Sequence, residues 1–430
     1  MQQLTHPGAL PVLVSVFLSR SVSVSLFAPT LPAISEALGT TYEGAGSLVG
    51  VLFVGYTIAV AVGGPLADRI GRRPLLVGGA AMNLLATLSV AFVPDLATAR
   101  IAAFAYGVAG IGDLTATVLL AEAGGRGSGR LLSFAHGAFA LGAVVVPLSA
   151  GAALEAGVSF RVLYAVAASV NLGLLAALFA TPRLGSRGRG PAAAPPPPGR
   201  GVRQIAASPA LAFGLASAFL YIAAEAGLAI WLPTLFRDRF DATATLASAS
   251  VAAYWAAMFA GRIGLSRVVD RTDRGRLLAA LGLAGAVACA AVLASPIPAV
   301  AFAGAVLAGL AMSACVPVIQ SMVAAAFPRE QGGAVLGALG VAIGAGGAFA
   351  PWAIGALADA VGGGAPGEGL ATAMWMNAAA LAGLAAVGPI AARACAARAE
   401  DHRNEPTPAP AGPGPGSSMT PTRDSDGEPT

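Results

Sequence analysis

Apolar segments of roughly 20 residues recur along almost the whole chain, separated by short polar breaks, and each is long enough to cross a hydrocarbon core as a helix. No other feature restricts the fold as much. A backbone inside lipid must satisfy its own hydrogen bonds, so such segments become helices that pack on one another. The segments fall at about 10–34, 44–66, 74–93, 98–122, 130–156, 159–180, 209–236, 244–266, 277–294, 298–323, 334–358 and 369–395. They predict an all-α membrane protein with about twelve transmembrane helices. Composition agrees: 56% of the 430 residues are hydrophobic and 11% charged, with a mean hydropathy of +0.75, more apolar surface than a water-soluble globule can hide.

The segments divide six and six around "TPRLGSRGRGPAAAPPPPGRGVRQ", a Pro/Gly/Arg stretch that cannot bury a face. The expected organisation is an N-terminal half at 1–181, a cytoplasmic linker at 182–208, a C-terminal half at 209–398 and a disordered cytoplasmic tail at 399–430. The halves repeat. Leu31-Pro32 and Leu232-Pro233 close the first segment of each half, and Asp68-Arg69 and Asp270-Arg271 follow the second, both at a displacement of about 200 residues. A duplicated, pseudo-symmetric six-helix unit closes around a cavity at the membrane midplane and opens by rocking one half on the other.

Every basic residue is an arginine, and the arginines sit in alternate loops: Arg69, Arg72 and Arg73; Arg126 and Arg130; Arg183, Arg187, Arg189, Arg200 and Arg203; Arg267, Arg271, Arg274 and Arg276; and Arg329. The opposite loops hold only Arg100, Arg161, Arg237 and Arg239. The positive-inside rule makes the first set cytoplasmic and puts both termini inside, as expected of a multi-pass protein of the cytoplasmic (inner) membrane. Arginines spread over loops, rather than over one soluble face, do not indicate nucleic acid. The N-terminus lacks a charged signal region, so the first span is expected to be retained.

Cys289, Cys315 and Cys395 lie in or beside apolar runs without CxxC or Cys/His spacing, which suggests packing residues rather than a disulfide framework or a metal site. No phosphate-cradling loop for ATP and no metal-ligand spacing of histidines occurs, so neither an enzyme nor a cofactor is expected and an ion gradient is the expected energy source. The expected partners are the lipid bilayer, a small-molecule substrate and protons, with the chain a monomer.

One polar break stands out, "GGPLADRIGRRP" at 63–74. Gly64 and Gly71 permit close backbone approach, Asp68 can accept from helix-terminal N–H groups or an arginine, and Arg69, Arg72 and Arg73 can bind carbonyls at helix C-termini. The segment reads as a latch between helices. Its residues "GPLADRIGRRP" resemble the signature loop of the major facilitator superfamily, G-x-L-a-D-r-x-G-r-r, and the six-plus-six plan resembles that family along 10–395. The resemblance implies an alternating-access secondary transporter with a cytoplasmic gate formed by Gly64, Asp68, Arg69, Gly71, Arg72 and Arg73, joined by Arg262 and the second copy, Asp270 and Arg271.

Ionisable side chains at membrane depth are costly unless paired or wet, so each is a candidate site residue. Arg20 lies midway along the first span, and Glu225, in "FLYIAAEAGLAIWLP", lies about one turn from the repeat-equivalent of Arg20. Asp113 lies within the fourth span, Glu122 near its cytoplasmic end, and His136 enters the fifth at a depth that lets it meet Glu122. Trp255 and Arg262 are seven residues apart, on one face of the eighth span. Arg20, Asp113, His136, Glu225 and Trp255 are expected to contact substrate, and Glu225, His136 and Glu122 to carry protons. Arg20 needs a resident carboxylate, Glu225 or Asp113, or an anionic ligand, and Glu225 matches it in depth. Trp231 reads either as a site residue or as an interfacial belt residue.

Three local patterns narrow the resemblance. "AHGAFALGAVVVP", "FLYIAAEAGLAIWLPT" and "YWAAMFAGR" are similar to the fifth-, seventh- and eighth-span patterns of the fucose permease-like transporters, H-x-x-F-x-x-G, Y-x-x-x-E and W-x-x-M-x-x-G-R. This branch implies proton symport of a sugar or sugar-like solute. The first span departs from the sugar-carrier pattern in carrying Arg20 and no acid between Pro11 and Ser35, a feature shared with organic-anion carriers. Drug efflux is a third reading, though Gly142 and Pro147 do not form the antiporter Gly-Pro dipeptide. A non-transporting receptor on the same fold is the remote alternative.

Overall fold

With no water in a bilayer core to take up backbone donors and acceptors, each apolar segment closes its own i to i−4 ladder. The computed structural model describes residues 9–124, 128–182, 184–185, 207–269, 271–328, 331–362 and 364–404. Among these, twelve helices are long and apolar enough to cross a membrane: span 1 (Ala9–Leu38), span 2 (Tyr42–Ile70), span 3 (Arg72–Val90), span 4 (Leu96–Ala123), span 5 (Arg130–Glu155), span 6 (Phe160–Ala180), span 7 (Pro209–Phe240), span 8 (Ala244–Leu265), span 9 (Arg274–Ala294), span 10 (Pro298–Ala325), span 11 (Gly332–Val361) and span 12 (Glu368–Glu400). Most of the proposed linker (183 and 186–206), Asp270, Arg126 and Arg329 lie outside the described residues. The last helix continues to Asn404, past Arg398, where the tail was expected to begin. Cys289, Cys315 and Cys395 are free and buried.

Local sequence sets the ends of these helices. Asp95 caps span 4 through the Thr98 N–H at 2.8 Å, and Asp273 caps span 9 through the Arg276 N–H at 2.8 Å. Span 1 ends at Gly39 with φ +56° and span 7 at Asp241 with φ +49°, left-handed caps at equivalent positions of the two halves. Glycine adopts this conformation freely, whereas Asp241 does so as one of the few residue types that tolerate it.

Three spans are broken near the middle. Span 1 divides into Ala9–Val24 and Phe27–Leu38, span 4 into Leu96–Val108 and Ile111–Gly124, and span 10 into Pro298–Met312 and Cys315–Ala325. Such breaks free backbone polar groups and are tolerated at membrane depth where protein or a water-filled cavity satisfies them.

The halves meet along two seams, span 2 on span 11 and span 5 on span 8. Both seams are tight on the side away from the 182–208 stretch, hereafter the side opposite the linker. A Cβ at Gly46 would lie 2.3 Å from the Pro351 carbonyl oxygen, one at Gly355 2.2 Å from that of Tyr42, and one at Gly151 2.7 Å from that of Ala244. Only glycine permits these approaches. Towards the linker the spans part: Gly64, Gly137, Gly264 and Gly337 have nothing within 4 Å of where a Cβ would stand. With His136 of span 5 and Arg262 of span 8 exposed at membrane depth on that side, the halves leave a cleft closed opposite the linker and open beside it.

Candidate functional site

The interior of the first half is built around Arg20, which is 6% exposed. Its Nε lies 3.1 Å from Oδ2 of Asp113, and its Nη1 donates to Asn83 Oδ1 at 3.2 Å and to the Tyr106 carbonyl at 2.8 Å. The guanidinium carbon also lies 5.1 Å from the centre of the Tyr106 ring. The Tyr106 carbonyl is available because span 4 breaks there: the Gly110 N–H, its regular helical partner, donates instead to Gly107 at 3.0 Å. Asn83 joins Arg20 to a buried set of short polar side chains. Asn83 Nδ2 donates to Asn171 Oδ1 at 3.2 Å, Asn171 Nδ2 donates to Ser23 Oγ at 2.9 Å and Thr87 Oγ1 at 3.0 Å, and Ser19 Oγ donates to Asn171 Oδ1 at 2.5 Å. Spans 1, 3, 4 and 6 are therefore tied together by a network whose one positive charge is neutralised from within.

The sequence expectation that Glu225 matches Arg20 is corrected here. Arg20 pairs with Asp113 of its own half, since the break in span 4 frees the Tyr106 carbonyl and brings the Asp113 carboxylate onto span 1. Glu225 lies in the second half within hydrogen-bonding reach of Tyr221 and electrostatic reach of Tyr254, Cys315 and Arg262, and makes no ion pair among the described residues. The Tyr221 hydroxyl is fully buried beside the Glu225 carboxyl. Trp231 is not a belt residue: it is 0% exposed and its Nε1 donates to the Pro351 carbonyl at 3.1 Å, joining spans 7 and 11.

Arg262 has a counterpart logic to Arg20. Residue 317 is proline, so the Ser313 carbonyl, four residues before it, receives no helical N–H. Arg262 Nε fills that position at 3.3 Å and so braces span 8 against the break in span 10. His136, exposed on span 5 with its ring 5.3 Å from that of Phe17, lies across the cleft within electrostatic reach of Arg262. Trp255 is half-buried two turns before Arg262 on the same helix, its ring against Tyr254 at 5.4 Å.

In the 63–74 stretch, Gly71 has φ +89°, the left-handed region that favours glycine, and so turns span 2 into span 3. Arg73 donates to the carbonyls of Leu178 at 2.9 Å and Thr181 at 2.8 Å, at the C-terminal end of span 6, and to Leu184 at 3.1 Å. Arg72 pairs with Glu122. Glu122 was expected to meet His136, but the turn at Gly71 presents Arg72 to it first. Asp68 and Arg69 are exposed without a partner among the described residues, and Gly64 faces open space rather than a close backbone. Arg271 is likewise exposed.

Opposite the linker, the halves are bonded to each other. Tyr42 Oη donates to Asp238 Oδ2 at 2.6 Å, the N–H groups of Tyr42 and Glu43 donate to Asp359 at 3.2 and 2.8 Å, and Trp352 Nε1 donates to Glu43 at 3.4 Å. Glu155 accepts from the Thr245 N–H at 3.0 Å on the other seam.

A cleft between two broken-helix halves, one end bonded shut, is the geometry of a carrier caught on one side of its cycle. The family model described as Major Facilitator Superfamily matches residues 13–297 and 252–422. The chain belongs to the major facilitator superfamily. It is therefore a multi-pass membrane transporter rather than an enzyme. Among solved structures, this major facilitator resembles a bacterial homologue of the human lysosomal transporter Spinster in an inward-facing, unoccupied conformation, with a TM-score of 0.71 at 14% identity over 92% of this chain and 98% of that one. It also resembles a D-xylose-proton symporter, with a TM-score of 0.68 at 18% identity over 88% and 96% of the two chains. At those identities the likeness is one of fold. A chloramphenicol resistance protein of Pseudomonas aeruginosa is 34% identical over 89 residues, 20% of each protein, so the match spans a fifth of that relative's length.

Sequence reasoning located the ionisable residues of this transporter but not the neutral ones that hold them. Ser19/Ser23 and Asn83/Thr87 recur at a spacing of four, and that polar stripe inside apolar spans is a readable signal. The contacts of Tyr42, Glu155, Asp238 and Asp359 carry no such signal, because each joins helix ends far apart in sequence.

Proposed function

We propose that the protein is a proton-coupled secondary transporter that moves a small, neutral, polar organic solute, sugar-like in its hydroxyl content, by alternating access. The observation that carries this reading is the unequal treatment of two buried charges. Arg20 is cancelled by resident Asp113 and so does not itself demand an anionic ligand. Glu225 makes no contact ion pair among the described residues, with Arg262 only within electrostatic reach, and a carboxylate that alternates between a wet and an occluded cleft can take up and release a proton with each cycle. Trp255 and His136 supply aromatic surface and hydrogen-bonding groups to a neutral solute in the same cleft.

The arginine-rich loops make the linker side cytoplasmic, so this conformation is the inward-open one, in a protein of the cytoplasmic membrane acting as a monomer with both termini inside. Asp68 and Arg69, without a partner among the described residues, belong to a gate that engages when the cytoplasmic side closes. The three span patterns support a place in the fucose permease-like branch, and the halves we assign are 1–181 and 209–398. A second reading, extrusion of a neutral drug, is favoured by the match to the chloramphenicol resistance protein.

Proteoliposomes containing a pH-sensitive dye separate these readings. Neutral polyols or sugars should move protons inward with the solute. A neutral drug that moves protons in the opposite sense would select extrusion, and an organic anion transported without proton movement would overturn the proposal.

A further inference from the structure

Two contacts on the side opposite the linker are the same contact made twice. At the start of span 2 the N–H groups of Tyr42 and Glu43 donate to Asp359, at the end of span 11. At the start of span 8 the Thr245 N–H donates to Glu155, at the end of span 5. The donors Tyr42 and Thr245 are 203 residues apart and the acceptors Glu155 and Asp359 are 204 apart, close to the displacement between Leu31-Pro32 and Leu232-Pro233. Even the residue before each helix repeats. Thr41 accepts from the Gly44 N–H at 3.4 Å and Thr243 from the Leu246 N–H at 3.3 Å, so each helix caps its own third N–H. An earlier N–H is left to a carboxylate from the other half.

The first N–H groups of a helix have no partner within it and carry part of the positive end of the helix dipole. A carboxylate placed there makes a charge-assisted hydrogen bond. Because Asp359 and Glu155 each serve a helix of the opposite half, both bonds exist only while this side of the carrier is closed. Opening it exposes two positive helix ends and two carboxylates at once.

We propose that Glu155 and Asp359 form a duplicated lock, one on each seam, that holds the carrier closed opposite the linker and sets how much solute and proton binding must contribute to open it. The proposal rests on the alternating-access reading, and its test reads conformation rather than flux.

Ser248 provides the reporter: it is 1% exposed on the span 5 and span 8 seam, its Cβ 2.6 Å from where a Gly151 Cβ would stand. In lipid nanodiscs, Ser248→Cys should react slowly with a bulky maleimide, the protein without this substitution giving the background from its own buried cysteines. Glu155→Gln and Asp359→Asn should each raise the rate about two- to fivefold, the range for a charge at a helix end, and the double variant should multiply the two effects. The decisive arm is Asp359→Asn, which lies on the other seam and reaches Ser248 only through the shared closed state. A second reporter, Gly337→Cys on the open end of span 11, should react more slowly in the same variants, whereas a misfolded protein would react faster at both positions. If Asp359→Asn leaves the Ser248→Cys rate unchanged, or both reporters speed up together, the lock is overturned. Flux that persists alongside such a result would leave the transport reading standing.

Discussion

Arg20 and Asp113, 3.1 Å apart, are both drawn from the first half, so this buried charge is compensated within that half alone. Removing one member of a buried pair strands the other, at a cost of about 3–5 kcal/mol. Arg20→Gln should therefore lower the thermal unfolding midpoint in detergent. Adding Asp113→Asn should return part of the loss, and adding Glu225→Gln should return none. Rescue by Glu225→Gln instead would place the pairing across the halves.

Arg262 and Pro317 make a second cycle. Arg262→Gln leaves the buried Ser313 carbonyl without a donor, which costs about 1–3 kcal/mol. Pro317→Ala restores an N–H four residues on, so the same Arg262→Gln substitution should cost less in the Pro317→Ala background. Equal losses in both backgrounds, measured by thermal unfolding, would show that Arg262 acts elsewhere than on that carbonyl.

Much of this architecture was legible in the chain. Spans read as spans because apolar length alone decides whether a segment crosses a bilayer, and Leu31-Pro32 with Asp68-Arg69 and their second copies marked the duplication. Arg20, Asp113 and Glu225 were visible because charge in an apolar run is conspicuous. Which of them pair was not, since Asp113 reaches Arg20 through the break at Ala109 and Gly110, whose backbone geometry depends on how spans 1 and 4 pack. Pro317 was readable as a ladder defect, yet the arginine that mends it lies 55 residues earlier on another span. The bonded ends at Tyr42, Asp238 and Asp359 belong to tertiary contact alone.

The seam glycines should be intolerant in a specific direction. A Cβ at Gly46 or Gly355 meets backbone oxygens at 2.3 and 2.2 Å, which cannot swing aside as a side chain can. Gly46→Ala and Gly355→Ala should destabilise the closed seam by about 1–3 kcal/mol, as overpacking does. Labelling at Ser248→Cys should accelerate in both. Unchanged labelling with normal transport would mean that the seam separates at no cost.

Asp68 has no partner among the described residues in this conformation, and we assign its work to the opposite one. Asp68→Asn should insert and fold normally, because the apolar spans govern insertion, but should show little or no flux at equal expression. Flux at the level of the unsubstituted protein would reduce the 63–74 stretch to a topology signal.

The account turns on Glu225 as the coupling carboxylate. In proteoliposomes, Glu225→Gln should still exchange labelled for unlabelled solute across the membrane, since exchange needs only a cleft that alternates while loaded, but should lose accumulation under an imposed pH gradient. Accumulation equal to that of the unsubstituted protein, with exchange intact, would contradict the claim that Glu225 carries the proton.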